Sequence, residues 1–457
     1  MRVNELLTVP ISDVELGGKA VARHDGQVVF VDRGLPGEVV VARVTRARRR
    51  FVEARLVSVE QASPDRLSAP CPHVERCGGC RFQELRYERQ LEIKQRLVGE
   101  TLTRIGGIDA PPVEAIVPAP ERFHYRNKME FSFQPGEDGR PELGLHERGA
   151  FDRIFEIETC LLPSPLTVEI AHLTRRFARE RGWSAYHPRR HTGVVRFLAV
   201  RHLPATDQCA VHLVAAAEEI PGLEEWAHAV AATSPAVRTV TLILNRSRAN
   251  VATGESERVL LGEGVIVERL LGLEFEASGS VFLQTNSRQA EALYARALEA
   301  AALEGRECVL DLYCGTGTLT LVLARAAGEA VGVESVAEAV GRARSNAARN
   351  RIANARFECG EARAVLREWA RGERAGAPRP EVVVVDPPRA GLHARVVARV
   401  AELQPRRIVY VSCNPATLAR DLRDFLARGY ALDSVVPFDL FPHTPHIECV
   451  ARLVRAG

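Results

Sequence analysis

Lysine is almost missing from the chain, which places only Lys19, Lys94 and Lys128 among its 61 basic residues. That scarcity is a matter of composition and implies no function. The formal net charge of +3 is too small to argue a polyanionic partner by itself. No apolar run reaches the roughly 20 residues that cross a membrane. No internal repeat or low-complexity tract is present. The first residues, Met1 to Gly18, lack a basic stretch leading into an apolar run, so they do not read as a secretory leader and a cytoplasmic protein is expected. In that compartment ten cysteines make a poor disulfide framework, which turns attention to metal ligation or catalysis.

With 46% hydrophobic and 26% charged residues the composition is that of an ordinary folded protein, and 457 residues exceed one compact core. Two or three domains are expected. Residues 1–60 hold short apolar stretches, Val28–Val31, Val39–Val44 and Phe51–Val59, separated by turn signals at Gly17-Gly18, Asp25-Gly26 and Leu35-Pro36-Gly37. They predict a small five-stranded barrel. Beside its last strands lie Arg43, Arg46, Arg48, Arg49, Arg50 and Arg55 against one acid, Glu53. Barrels of this kind with basic loops commonly read single-stranded nucleic acid, although charge runs are also ordinary solvated surface.

Ser63 to Pro72 is rich in proline, serine and alanine and reads as a linker. Apolar spacing predicts a helix within 83–105, and strands and helices mix from Val113 to Val281 as an α+β segment. From about residue 283 buried strands alternate with helices, the pattern of a parallel sheet covered on both faces.

In that last segment, strand Cys308–Leu312 runs into Tyr313-Cys314-Gly315-Thr316-Gly317-Thr318, and a helix follows. Glu334 ends the next strand 19 positions after Gly315, where a nucleotide-binding sheet sets an acid against ribose hydroxyls. The loop departs from the G-x-G-x-x-G fingerprint and no nicotinamide half follows, which favours S-adenosylmethionine over NAD. Thr318 is assigned no more than a helix cap.

Strand Val382–Val385 ends in Asp386-Pro387-Pro388-Arg389, which sets a carboxylate at the rim where such sheets bind ligands. In methyltransferases acting on base amino groups an aromatic follows Asp-Pro-Pro; here Arg389 stands in its place, and amine methylation is demoted. The next strand ends in Ser412-Cys413-Asn414-Pro415. Its polar neighbours suit a reactive thiol, while an inert buried cysteine is the competing reading. Glu448 lies between apolar residues on the final strand, where a carboxylate needs a task or an ion-pair partner. A thiolate adding to uracil carbon 6 makes carbon 5 nucleophilic, and a base must then take the proton from carbon 5. Cys413 and Glu448 supply those two groups. His443 and His446 are read as ordinary loop histidines.

Together these residues resemble the RNA uracil-C5-methyltransferase family, whose members modify tRNA and 23S ribosomal RNA. The resemblance runs through nearly the whole chain: Arg122 to Phe131, Leu143 to Arg148, Phe282 to Asn286, Asp311 to Gly317, Asp386 to Arg389, Val411 to Pro415 and His446 to Glu448. It implies Cys413 as nucleophile and Glu448 as base, with Gln284, Tyr313, Gly315, Glu334 and Asp386 around S-adenosylmethionine and uracil. Thr318 replaces an asparagine found in some relatives. The barrel resembles the TRAM domain, an RNA-binding oligonucleotide-fold module. Cys71, Cys77, Cys80 and Cys160 resemble the 4Fe-4S ligand set of the ribosomal branch, a Cys₄ zinc site being the physical rival.

The expected organisation is a TRAM/OB barrel over 1–62, a central iron–sulfur and RNA-binding domain over 68–281 whose helix 81–105 packs on the catalytic part, and a Rossmann-like methyltransferase domain over 282–457. The expected substrate is 23S ribosomal RNA, with tRNA as the near alternative. No membrane and no protein partner are expected. The competing classes are an inactive iron–sulfur RNA-binding protein and an NAD-linked iron–sulfur oxidoreductase.

Overall fold

A computed structural model describes residues 1–279 and 283–456; Phe282 and the expected boundary at 281/282 lie outside the described residues. The chain begins with β1 (Leu6–Val14), β2 (Ala20–His24), β3 (Gln27–Val31), β4 (Val39–Ala47) and β5 (Phe51–Gln61). They close into a barrel in the order β1-β2-β3-β5-β4. Alternation drives the closure. In β1, Leu7, Val9 and Ile11 point inward to meet Ala22, Val29, Val40 and Val52 while the residues between them face water, and Val14 at the strand's end joins a different core with Leu35 and Phe82. All six arginines between Arg43 and Arg55 are exposed on one end of β4, the turn after it and β5.

Helix α1 (Tyr87–Arg104) follows. It is shorter than the expected 83–105, because Gln83 to Arg86 form a turn in which Leu67 N donates to Glu84 O and Arg86 N to Asp65 O. The buried stripe Ile93, Leu97, Val98 and Leu102 shares one core with Leu418, Leu422 and Phe425, so the helix packs against the far end of the chain.

A seven-stranded sheet comes next, from β6 (Lys128–Pro135), β7 (Pro141–His146), β8 (Ile154–Phe155), α2 (Pro165–Glu180), β9 (Val195–Leu203), β10 (Gln208–Ala215), α3 (Leu223–Ala231), β11 (Val237–Leu244) and β12 (Ser256–Leu261). Its strand order is β12-β11-β10-β9-β6-β7-β8, and α2 and α3 cover one face around Trp183 and Trp226. The hairpin β13 (Ile266–Leu270) and β14 (Leu273–Ala277) leads on to the last segment.

That segment runs α4 (Ser287–Ala301), β15 (Cys308–Leu312), α5 (Thr318–Ala324), β16 (Glu329–Glu334), α6 (Ala337–Arg349), β17 (Ala355–Cys359), α7 (Ala362–Arg371), β18 (Val382–Val385), α8 (Ala394–Glu402), β19 (Arg407–Ser412), α9 (Pro415–Leu426), β20 (Tyr430–Phe438) and β21 (Glu448–Arg455). Its sheet has the order β17-β16-β15-β18-β19-β21-β20, parallel except for β21, which runs antiparallel to both neighbours. Burial on both faces explains the continuous valines of β18. Among the described residues no helix is long and apolar enough to cross a membrane.

Candidate active site and cysteine cavity

The parallel strands β15, β16, β18 and β19 all end at one rim, which gathers the chemistry-bearing residues. Tyr313 leaves β15 with φ +69° and Gly315 follows with φ +54°, so the chain turns sharply before α5. A side chain at Gly315 would meet nothing within 4 Å, which leaves its backbone open to a ligand. Glu334 lies across the loop: Gly315 N donates to its Oε2 at 3.1 Å, and Val336 N donates to Oε1 at 2.9 Å. Thr318 opens α5 but does not cap it; Gly317 holds that position without a side-chain bond, and the hydroxyl is buried.

Register brings the other two groups together. Ser412 of β19 pairs with Cys449 of β21, and the strands are antiparallel. The residue after Ser412 therefore faces the residue before Cys449, which sets Cys413 opposite Glu448. Asp386 follows directly on Val385, the partner of Tyr410 in β19. Glu448 is 4% exposed, not a surface ion-pair partner, and burial together with the Asp386 charge pushes its carboxyl well above the usual range while Arg389 draws it back. Burial, then Glu448 and Asp386, push the Cys413 thiol up to about 11, again opposed by Arg389. Asp386 is raised to about 7 by burial. Asp311, one layer deeper, is also raised to about 7 by burial, partly offset by a 2.5 Å hydrogen bond from Thr320 Oγ1.

Gln284 is 8% exposed, and its carbonyl accepts from Asn127 Nδ2 at 2.9 Å. Its side chain meets Tyr294, whose hydroxyl is buried close to the charges of Asp386 and Glu448. Sequence reasoning did not single out Tyr294, Asn127 or Arg389 as site residues. Only Arg389 carried a signal, as the cation that follows the rim carboxylate.

His443 and His446 are not ordinary loop histidines. Burial first, and surrounding cations second for His446, lower both to about 4. The His443 ring stacks on Phe123 at 4.4 Å between centroids. Of the other aromatics, Tyr125, Phe131 and Phe133 are buried core.

Cys71, Cys77, Cys80 and Cys160 line one cavity of about 830 Å³ with Gln83 and Arg126, and its wall also includes Thr285, next to Gln284, and His446, two positions before Glu448. All four are free thiols. Burial pushes Cys80 up to about 12 and Cys160 up to about 11, and both are close enough to Cys71 and Cys77 for those charges to add. Gln83 Nε2 donates to Cys80 Sγ at 3.2 Å and Gly79 N to Cys77 Sγ at 3.4 Å. Among the described residues no three His, Cys, Asp or Glu side chains converge as around a single metal ion. Four thiols spaced around a cavity, with N–H groups directed at two sulfurs, form a donor set of the kind that holds an iron–sulfur cluster.

The family model for tRNA (uracil-5-)-methyltransferase matches residues 221–456, and that for the TRAM domain matches residues 2–57. An uncharacterized RNA methyltransferase of Nitratidesulfovibrio vulgaris is 41% identical over 98% of this chain and 95% of its own. Another, from Chlorobaculum tepidum, is 38% identical over 100% of this chain and 97% of its own. The crystal structure of Pyrococcus abyssi tRNA (uracil-54, C5)-methyltransferase in complex with S-adenosyl-L-homocysteine is 30% identical, with a TM-score of 0.79 over 98% of this chain and 99% of that one.

Proposed function

Because the chain belongs to the tRNA (uracil-5-)-methyltransferase family and is an S-adenosylmethionine-dependent RNA (uracil-C5)-methyltransferase, we propose that it forms 5-methyluridine in 23S ribosomal RNA, with Cys413 as nucleophile and Glu448 as base. The observation that carries the mechanism is the β19–β21 register, which opposes those two side chains beside Asp386.

Bound S-adenosylmethionine supplies an electrophilic methyl group on a sulfonium. Gly315, with its open backbone, and Tyr313 receive it at the end of β15, and Glu334 takes the ribose hydroxyls. Gln284 and Asp386 hold the uracil edge; a carboxyl near 7 both donates to and accepts from that edge at neutral pH. Cys413 loses its proton to solvent and adds as thiolate to carbon 6, which moves the C5–C6 π electrons into an enolate. Carbon 5 is then the nucleophile toward the methyl group that bound S-adenosylmethionine would supply, with S-adenosylhomocysteine as the leaving group. Glu448 then takes the proton from carbon 5, the C–H electrons rebuild the C5=C6 bond, and the Cys413 sulfur leaves with its pair. A carboxyl raised above the usual range is the stronger base for that step. Arg389 favours the Cys413 thiolate and opposes the rise of the Glu448 carboxyl. The target uridine must leave its stack to reach the rim.

The domain limits proposed are 1–62 for the RNA-binding barrel, 68–281 for the central domain and 282–457 for the catalytic domain. Cys71, Cys77, Cys80 and Cys160 hold a 4Fe-4S cluster in this reading. Methyl transfer involves no net redox change, so the cluster serves as a staple. Iron and acid-labile sulfide near four each per chain are expected on analysis; one zinc and no sulfide would replace this reading with the zinc site.

The four-cysteine set and the barrel together favour 23S RNA. The similarity to an archaeal tRNA enzyme over almost the whole chain keeps tRNA as the second reading. Incubation with labelled S-adenosylmethionine and unmodified 23S RNA or tRNA, followed by mapping of 5-methyluridine, separates them. Methyl on 23S RNA is expected, and methyl on tRNA alone would move the substrate to the sister branch.

A further inference from the structure

We propose that His443 is a positioning residue for Glu448, tying the loop that carries the base to the segment 81–90 beside the cysteine cavity. The proposal rests on the reading of Glu448 as base.

The loop between β20 and β21, residues 439–447, ends directly on Glu448. Its anchors come from the other end of the chain. His443 O accepts from Arg81 N at 2.8 Å and from Phe82 N at 3.0 Å. His443 N donates to Gln90 Oε1 at 3.0 Å, and Gln90 Nε2 meets His443 Nδ1 at 3.3 Å. The same Nε2 reaches Phe82 O at 2.9 Å and Leu85 O at 2.8 Å, so one fully buried side chain clips the turn before α1 to the loop. Two further bonds flank it, from Tyr125 Oη to Pro442 O at 3.0 Å and from Lys94 Nζ to Phe441 O at 3.2 Å. Phe441 packs against Cys80, Tyr125 and Leu162.

His443 is the centre of this arrangement and adopts φ +66°, a conformation costly for a residue with a side chain. The bonds to its backbone and the Phe123 stack hold it there. From that point the chain reaches Glu448 in five residues, with Ile447 fixed in the core. The ladders to β19 and β20 fix the Glu448 backbone, and segment 81–90 and Phe123 hold the loop that feeds into it, which leaves the final setting of the carboxylate toward carbon 5 to those anchors. Proton abstraction is the step most sensitive to a small displacement, because a base must stay within hydrogen-bond reach of its proton.

The test is a single-turnover reaction with labelled S-adenosylmethionine and substrate RNA, following the methylated, denaturation-resistant protein–RNA adduct and its conversion to free 5-methyluridine. His443→Asn keeps a residue that tolerates positive φ and removes the ring; Phe123→Leu removes only the stack and leaves every backbone bond. In both, the adduct is expected to form at the wild-type rate but to resolve more slowly, about tenfold or more for His443→Asn, a fraction of the ~10²–10⁴ that a positioned base contributes. Phe123→Leu shows a smaller slowing in the same direction, and decides the matter if His443→Asn does not fold. Equal slowing of formation and resolution, or no slowing, would overturn the proposal. Glu448→Gln is the control: if it fails to accumulate adduct, the base reading falls.

Discussion

Lys94 and Asp439 form an ion pair at 2.5 Å whose side chains are 1% and 0% exposed, joining α1 to the start of the loop that leads to Glu448. Replacing Lys94 by Met keeps the length of the side chain and removes the charge. Asp439 Oδ1 then loses its cation, and the neutral Tyr87 hydroxyl remains beside the carboxylate. Leaving one buried charge uncompensated costs about 3–5 kcal/mol, whereas replacing both members by apolar residues is often neutral or stabilising. Hydrogen exchange of the α1 amides is the suitable assay, because it reports local opening in a chain of several domains where one global unfolding free energy is ill-defined. Lys94→Met should raise the opening constants by about two to four powers of ten, at 1.36 kcal/mol per decade. The double variant Lys94→Met/Asp439→Leu should recover most of that loss, giving a large coupling energy. A single variant that changes exchange by less than about tenfold, or a double variant no better than the single, would refute the reasoning.

Glu307 is lowered to about 2 by backbone donors from Glu304 and Arg306 and by Arg406, against the opposing effect of its burial. A carboxyl lowered on folding stabilises above its unfolded value near 4.5 and loses that contribution as pH falls toward 2. Glu307→Gln should therefore lower the melting temperature at pH 7, and the gap to wild type should close progressively between pH 4.5 and 2; a gap independent of pH would count against it. With the Cys413 thiol up near 11 in the free protein, alkylation of Cys413 followed by peptide mass mapping should keep rising from pH 7 to 9. Arg389→Gln should slow it throughout; a plateau at neutral pH would contradict the first statement, and an unslowed Arg389→Gln the second. Gly315→Ala places a methyl group on the open side of the loop at φ +54°. It should cost about 1–2 kcal/mol of stability and weaken S-adenosylhomocysteine binding seen by calorimetry; unchanged binding would mean that the ligand lies elsewhere.

The catalytic sheet was legible because its strands are short continuous apolar runs between helices, and β15 was located residue for residue as Cys308–Leu312. β1 was not, because it contains Pro10, which reads against a strand. The rim residues were legible as motifs, but the opposition of Cys413 and Glu448 depends on the β19–β21 register, which no local pattern encodes. The role of Thr318 was misread, since Gly317 takes the cap position. Segment 439–447 looked like an ordinary loop because its partners, Arg81, Phe82, Gln90 and Phe123, lie more than 300 residues earlier in the chain.

Substrate RNA carrying tritium at uridine carbon 5 tests the central claim most directly, since methylation at that carbon must expel its hydrogen. Wild-type protein should release tritium in proportion to methyl incorporated, Cys413→Ala should do neither, and Glu448→Gln should take up methyl while retaining tritium in a covalent protein–RNA complex. Tritium release by Cys413→Ala at the wild-type rate would contradict the mechanism.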